Sequence, residues 1–445
     1  MPVPRRNRQD ACPTKKQAGC LSHEETGRMP VLRGIDLQPT TYNLQMQIIV
    51  EGWRFLPHSY AIANQFQLLE TIDRPSLTIF HQDMPYASKT WQPVENLFDP
   101  KAELALSQIP NPSPNQEADA TLRMYAPLNL APAKTPKTAV FGCTEWGILT
   151  KSIIRGMGVS SLGEAHADTD TVIVTPSHWS RDGFIRSGAD GDRVAVVPLG
   201  VNPAIYHPLA PAERTALRQR LGIDGYFAFL NVGLMCNESQ GVGRLLKAFA
   251  TIVDGHPDAR LILKGRDALF PSKDSIAKAG QTNLTDAEMD KVKSRLIYVG
   301  DTLSFAQLAQ LYQAADAYVS PYLAEGFNLP VLEAAACGLP VICTQGGPTD
   351  DFIHPEFALA IESKLETGST TDGDKVWFVV PKQDRLVELM EAIIEQPGLR
   401  DRARRAGPDW VGQHFTWAKA VDRLLDVLGP SNHKLSRPAF EPLIL

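Results

Sequence analysis

The chain has 445 residues, 43 % of them hydrophobic and 21 % charged, enough for two or three domains with cores of ordinary soluble composition. A formal net charge of −6 argues against nucleic acid as a partner, and no apolar run reaches the roughly 18 residues of a membrane span. The six cysteines (Cys12, Cys20, Cys143, Cys236, Cys337, Cys343) form neither a CxxC pair nor a zinc spacing, so the reading is a reduced, cytoplasmic protein without a metal.

Residues 1–33 are polar and carry no periodicity, and they are expected to form a disordered leader or arm. Residues 34–205 make a first α/β domain. Apolar runs at 44–50, 76–80, 137–143, 171–177 and 194–198 predict parallel strands, each followed by polar residues at its carboxyl edge. A helix follows the first strand, with Ser59 as its expected N-cap and Ile62, Phe66 and Leu69 at helical spacing. Residues 91–136 are rich in Pro, Asn and Ala and read as a long irregular excursion, the kind of segment that covers an acceptor. The strand-end groups Trp53, His58, Tyr60, His81, Asp83, Glu145 and Trp146 are candidates for a sugar or polyol pocket, through ring stacking and hydroxyl hydrogen bonds. The bland alternative for each is a packed structural residue.

Pro203, Pro208 and Pro211 stiffen the junction to a second domain, 206–408. Strands are predicted at 227–233, 260–265, 295–300, 317–320, 340–344 and, as the last of the sheet, 376–380. A helix is predicted over 241–254, and Ser304 with Gln307 forms a capping box. Residues 409–445 comprise a helix opened by Phe415-Thr416-Trp417 and an irregular tail. Asp168-Thr169-Asp170 precedes a strand rather than following one, so it reads as surface rather than as a metal motif.

The most informative stretch is Ser320 to Pro340. A buried strand ends in a loop carrying Glu325 and Gly326, and a helix opens near Pro330. Its free N–H groups and dipole suit a phosphate. Glu325 stands at the sheet's carboxyl edge, where open α/β sheets bind ligands, and Glu333 two turns on is placed to accept hydroxyl hydrogen bonds.

Glu325-Gly326-Phe327-Asn328-Leu329-Pro330, Glu333-Ala334, Gly338, Pro340-Val341-Ile342 and Gly346-Gly347-Pro348 together resemble the Glu-x7-Glu region of retaining GT-B glycosyltransferases of the family 4, group 1 type. The His58–Gln65 block resembles that family's first loop and helix. Ser177-His178-Trp179 with Val197-Pro198-Leu199-Gly200-Val201-Asn202 resembles the end of its first domain. The resemblance implies two Rossmann-like domains facing each other across a cleft, and a terminal helix that crosses back to the first. It also implies retaining transfer from a nucleotide-diphosphate sugar to a sugar, polyol or lipid-linked acceptor, with no cofactor. Glu325 would lie beside the transferred sugar, and Glu333 would hold ribose. Gly233, Asn237, Arg244, Val299, Gly300, Gly326, Phe327, Asn328 and Leu329 complete the expected donor site.

The departure from the family lies after the first strand of the second domain. The usual Arg and Lys that grip the diphosphate are absent from Gly233-Leu234-Met235-Cys236-Asn237-Glu238-Ser239-Gln240-Gly241, and Gln240 stands where the Lys is expected. Arg244, Lys264 and Arg266 are the substitutes at hand, with Lys264 the first choice. The alternatives are a non-catalytic nucleotide-sugar or glycan binder and a nucleotide-sugar epimerase. Peripheral membrane contact stays open, although no basic amphipathic helix recommends it. The oligomeric state is not legible.

Overall fold

The computed structural model describes residues 45–235 and 238–429. The expected leader, Asn237 and the tail from residue 430 lie outside these residues.

Two parallel six-stranded sheets form the body of the molecule. The first, in the order β2-β1-β3-β4-β5-β6, comprises β1 (Met46–Gly52), β2 (Leu77–Asp83), β3 (Ala120–Met124), β4 (Lys137–Phe141), β5 (Val172–Thr175) and β6 (Val194–Val196). The second comprises β7 (Phe227–Val232), β8 (Ala259–Lys264), β9 (Leu296–Val299), β10 (Ala317–Ser320), β11 (Val341–Thr344) and β12 (Ala358–Ile361). Its order, β12-β11-β10-β7-β8-β9, reverses direction between β7 and β10. In such a sheet the crevice outside that reversal is where ligands bind, because the flanking loops diverge to opposite faces. The central strands are mostly apolar and almost wholly buried, as helix-covered parallel strands must be, with the polar Asn231, Ser320 and Thr344 at or near their carboxyl ends.

Two elements inside the expected excursion correct the reading of 91–136. Helix Pro100–Ser107 is capped by Asp99, whose carboxylate accepts from the Lys101 and Ala102 N–H groups. β3 is an inner strand between β1 and β4. It was obscured because Ala-Thr-Leu-Arg-Met lacks β-branched enrichment, and because all five residues are buried, which removes alternation. Arg123 is satisfied there by Glu51 at 2.9 Å and by the Asn129 carbonyl.

A second correction concerns 376–380. These residues belong to β14 (Lys375–Pro381), which pairs antiparallel with β13 (Ser363–Ser369) in a separate hairpin. One edge of the sheet is instead β12, Ala-Leu-Ala-Ile, whose alanines and leucine carry little strand preference. A third is the cap of helix Ser59–Ile72: His58, not Ser59, takes the N-cap position, and its Nδ1 accepts from the Tyr60 N–H.

The terminal helix does cross back. Trp417, 2 % exposed, stacks on Phe66 of helix Ser59–Ile72 at 5.4 Å and 3° between planes. Val201 forms a parallel bridge with Thr416, and Arg74 pairs with Asp422 at 2.6 Å. The helix Trp417–Leu428 has its apolar residues on one stripe, Trp417, Val421, Leu424 and Leu428, and this stripe is what docks it. Among the described residues, no helix is long and apolar enough to cross a membrane.

Candidate active site

The loops after β7 and β10 meet at the reversal point. The Ser239 carbonyl accepts from the Leu323 and Ala324 N–H groups at 2.6 and 3.1 Å. Gly241 has a left-handed backbone, and a Cβ there would overlap the Pro321 carbonyl, so the crossing is built on glycine. The Gln240 side chain spans the junction: its Oε1 accepts from the Met235 N–H at 2.8 Å, and its Nε2 faces Glu325 Oε1 at 3.5 Å. It also lies against Gly233, leaving no room for a Cβ. The residue at the expected lysine position therefore orders the loop and touches the glutamate.

Glu325 lies on the cleft floor. Burial raises its carboxyl above the ordinary range, and the like charge of Glu145 from the first domain raises it further; the Gln240 side chain and the Gly326 N–H act the other way. Glu145 is itself raised by its surroundings, although its side chain keeps access to solvent. The two loops approach closely: a Cβ on Gly326 would stand 2.8 Å from Cys143 Cβ. Ser177, the N-cap of helix His178–Arg186, donates to the Gly326 carbonyl at 2.7 Å. The helix opening at Leu329 thus presents its N-terminus within a loop held by the other domain.

Lys264 ends β8 and is 4 % exposed, its ammonium donating to the Gly265 carbonyl. Burial first, then the charge of Arg266, lowers it to about 8. Arg266 donates to the Pro57 carbonyl of the first domain and shares an interdomain pocket with Lys264, Val232, Thr302, Ile62 and Leu97. Two cations are therefore concentrated beside the reversal point. His58 lies near Arg266; burial, and secondarily that positive charge, hold it neutral down to about 4.

Glu333 is 5 % exposed and accepts from the Tyr312 hydroxyl at 2.7 Å. Burial pushes it up to about 7 against the opposing effect of the Tyr312 and Tyr206 hydroxyls and Arg266. Sequence reasoning did not anticipate these two tyrosines, which reach Glu333 from distant segments.

Several expected site residues have their polar groups or rings engaged within the protein. Trp53 is 1 % exposed, with its indole N–H on the Pro85 carbonyl and edge contacts to Trp91 and Tyr86. His81 is fully buried beside the Asn64 amide, and burial with the nearby Arg54 charge keeps it neutral, to about 3, so its 3.4 Å approach to Asp83 is no ion pair. Asp83 instead takes a two-pronged contact from Arg54 at 2.8 and 2.6 Å. Phe327 packs on Phe352 at 4.8 Å, and the Asn328 amide donates to Ser320 Oγ. Arg244 turns to the Pro381 carbonyl, at the end of the hairpin. The Val299 and Gly300 carbonyls are taken by the Gly265 and Asp267 N–H groups. Trp146 packs edge-on against Phe378 of β14 at 5.9 Å. Glu325, Gly326, Gln240 and Gly233 of the second domain come together beside Glu145 and Tyr60 of the first, and Lys264 and Arg266 line the adjoining interdomain pocket with His58 near Arg266. Leu329 follows as the first residue of its helix.

The architecture is that of the GT-B glycosyltransferases. HepE of Anabaena, solved in complex with UDP and glucose, superposes with a TM-score of 0.61 at 15 % identity, over 87 % of this chain and all of its own. Sucrose-phosphate synthase from Thermosynechococcus elongatus gives 0.61 at 17 % identity, over 86 % of this chain and 98 % of its own. At such identities the likeness concerns the fold. Residues 227–395, which hold the whole second sheet, match the family model described as Glycosyl transferases group 1. A D-inositol 3-phosphate glycosyltransferase from Pseudarthrobacter chlorophenolicus is 35 % identical over 178 residues, 39 % of this chain and 40 % of its own length. An alpha-maltose-1-phosphate synthase from Mycobacterium tuberculosis is 24 % identical over 257 residues, 57 % of this chain and 62 % of its own. The chain thus spans between two fifths and two thirds of these relatives.

Proposed function

We propose that this protein transfers a sugar from a nucleotide-diphosphate sugar to an acceptor hydroxyl. The observation that carries the reading is the arrangement about the reversal point: the Glu325 carboxylate and the N-terminus of helix Leu329–Ala336 follow β10, and the Lys264–Arg266 pair lines the interdomain pocket at the end of β8. In this reading the second domain holds the donor, and Lys264 with Arg266 neutralises the departing diphosphate in place of the missing Arg and Lys, a form of charge stabilisation that is often the largest catalytic contribution. Glu325 lies beside the transferred sugar. Glu333, which accepts from the Tyr312 hydroxyl, is the group that takes the ribose hydroxyls. The first domain supplies the acceptor side with Tyr60, His58 and Glu145. Transfer proceeds with retention, without a metal, and in the cytoplasm, where Cys143, Cys337 and Cys343 stay reduced as they are here.

The test is a matrix of UDP-, GDP-, ADP- and dTDP-sugars against sugar, polyol and lipid-linked acceptors, with products read by mass spectrometry and anomeric configuration by NMR. Transfer that vanishes in Glu325→Gln supports the reading. Selective binding of one nucleotide sugar with no turnover on any acceptor points to the non-catalytic binder that the lost Arg and Lys would favour.

A further inference from the structure

The loop after β4 is mounted with unusual rigidity. The Thr144 N–H donates to Ser180 Oγ at 2.7 Å, the Trp179 indole N–H donates to the Glu145 carbonyl at 2.9 Å, and the Trp377 N–H donates to the Trp146 carbonyl at 3.0 Å. Three successive residues are thereby pinned, the last of them by the second domain. The pin from β14 has a counterpart. The Val379 N–H, two residues along the same strand edge, donates to the Leu323 carbonyl at 2.9 Å, two residues before Glu325. Donors two residues apart lie roughly 7 Å apart on one edge of a strand. The edge of β14 away from β13 therefore holds the two glutamate-bearing loops side by side, and the close approach of Gly326 to Cys143 completes the juxtaposition.

The side chain so carefully mounted is itself unpaired: among the described residues no donor or cation reaches the Glu145 carboxylate, and the side chain is open to solvent. Its neighbours are Glu325, Cys143 and Tyr60, all acidic groups. Water satisfies this carboxylate, so the absence of a partner is not what marks it; a braced loop that holds it against a second, buried carboxylate from the other domain is the pattern of a chemical site.

We propose that Glu145 is the group that takes the acceptor hydroxyl's proton during transfer, an inference that rests on the transferase reading above. The acceptor O–H bond breaks and its proton passes to a Glu145 oxygen. The acceptor oxygen forms the bond to the sugar's anomeric carbon on the face from which the diphosphate departs, so that the configuration is retained. The bond from that carbon to the diphosphate breaks, and its electron pair leaves on the nucleoside diphosphate. Glu145 returns the proton to water. The edge of β14 positions the base opposite Glu325, and the raised carboxyl suits a proton acceptor working near neutral pH.

Glu145→Gln keeps the shape and removes the base, so transfer should fall by about 10²- to 10⁴-fold while nucleoside diphosphate affinity holds and the thermal midpoint holds or rises. Glu145→Ala should be rescued by azide, a nucleophile with no proton to lose, giving a glycosyl azide. Glu145→Gln with wild-type transfer rates overturns the inference alone. So does loss of azide-dependent turnover together with nucleotide binding in Glu145→Ala, since Glu145 would then be a structural brace. Wild-type protein that binds a nucleoside diphosphate and transfers to no acceptor overturns the transferase reading, and the inference with it.

Discussion

Replacing Lys264 by methionine keeps the buried stem and removes the charge, so it should move stability and ligand binding in opposite directions. Lys264 is 4 % exposed, and burial with Arg266 beside it takes the ammonium from 10.5 to about 8. A gap of that size corresponds to about 3 kcal/mol against folding. The folded protein holds this proton less tightly than the unfolded chain does. The penalty is therefore full below pH 8, shrinks as pH rises from 8 to 10.5, and is gone above. Losing the hydrogen bond to the Gly265 carbonyl offsets about 1 kcal/mol. Ligand-free Lys264→Met should thus be more stable than wild type by about 2 kcal/mol at pH 7, with the difference narrowing toward alkaline pH. Its affinity for a nucleoside diphosphate should fall by at least about 10-fold, the scale of one charge-assisted hydrogen bond lost from the complex. Urea unfolding at neutral and alkaline pH, paired with calorimetric titration, reads both. A variant that is less stable at pH 7 and binds nucleotide as tightly as wild type would refute the placement of a functional cation here.

Trp417→Ala removes the ring stacked on Phe66 and should lower stability by about 3 to 5 kcal/mol, visible as an earlier first transition in urea as the terminal helix detaches. Gly326→Ala forces its methyl against Cys143 Cβ, pushing apart the Glu145 and Glu325 loops. Transfer should drop while nucleotide binding persists, and Cys143→Gly in the same chain should restore it. Failure of that rescue in a kinetic assay would place the strain elsewhere. Glu333 has its carboxyl raised to about 7 from 4.5, so it has no such effect below 4.5 and its burial weakens the fold as pH rises from 4.5 to 7. A thermal-unfolding series over that window should show the wild-type midpoint falling more steeply than that of Glu333→Gln; parallel curves would mean that Glu333 titrates normally.

Where local chemistry decides structure, the chain was readable from its residues. β10, its loop and helix Leu329–Ala336 followed from an apolar run, a Gly-containing turn and a proline in the first helical turn, and Glu325 lies in that loop. β3 was hidden because burial on both faces erases the alternation that marks a strand. β14 read as sheet because its apolar character matches a core strand; only its partner, β13, shows that it belongs to a hairpin. At the site, strand-end position alone could not separate cleft residues from packed ones. Trp53 and His81 occupy the same kind of position as Glu145, yet each turns into the protein. The partners of Glu333 and the pins on the Glu145 loop come from segments far apart in sequence, where spacing carries no information. The loss of the usual cations was legible, and the structure adds that Gln240 occupies their place by ordering the loop against Glu325.

Calorimetric titration of the protein with UDP, GDP, ADP and dTDP tests the donor site most directly. Selective binding of one nucleoside diphosphate, weakened in Lys264→Met and unchanged in Glu145→Gln, is the expected result. No binding of any of them to the wild-type protein would contradict a donor site at the junction of β7 and β10.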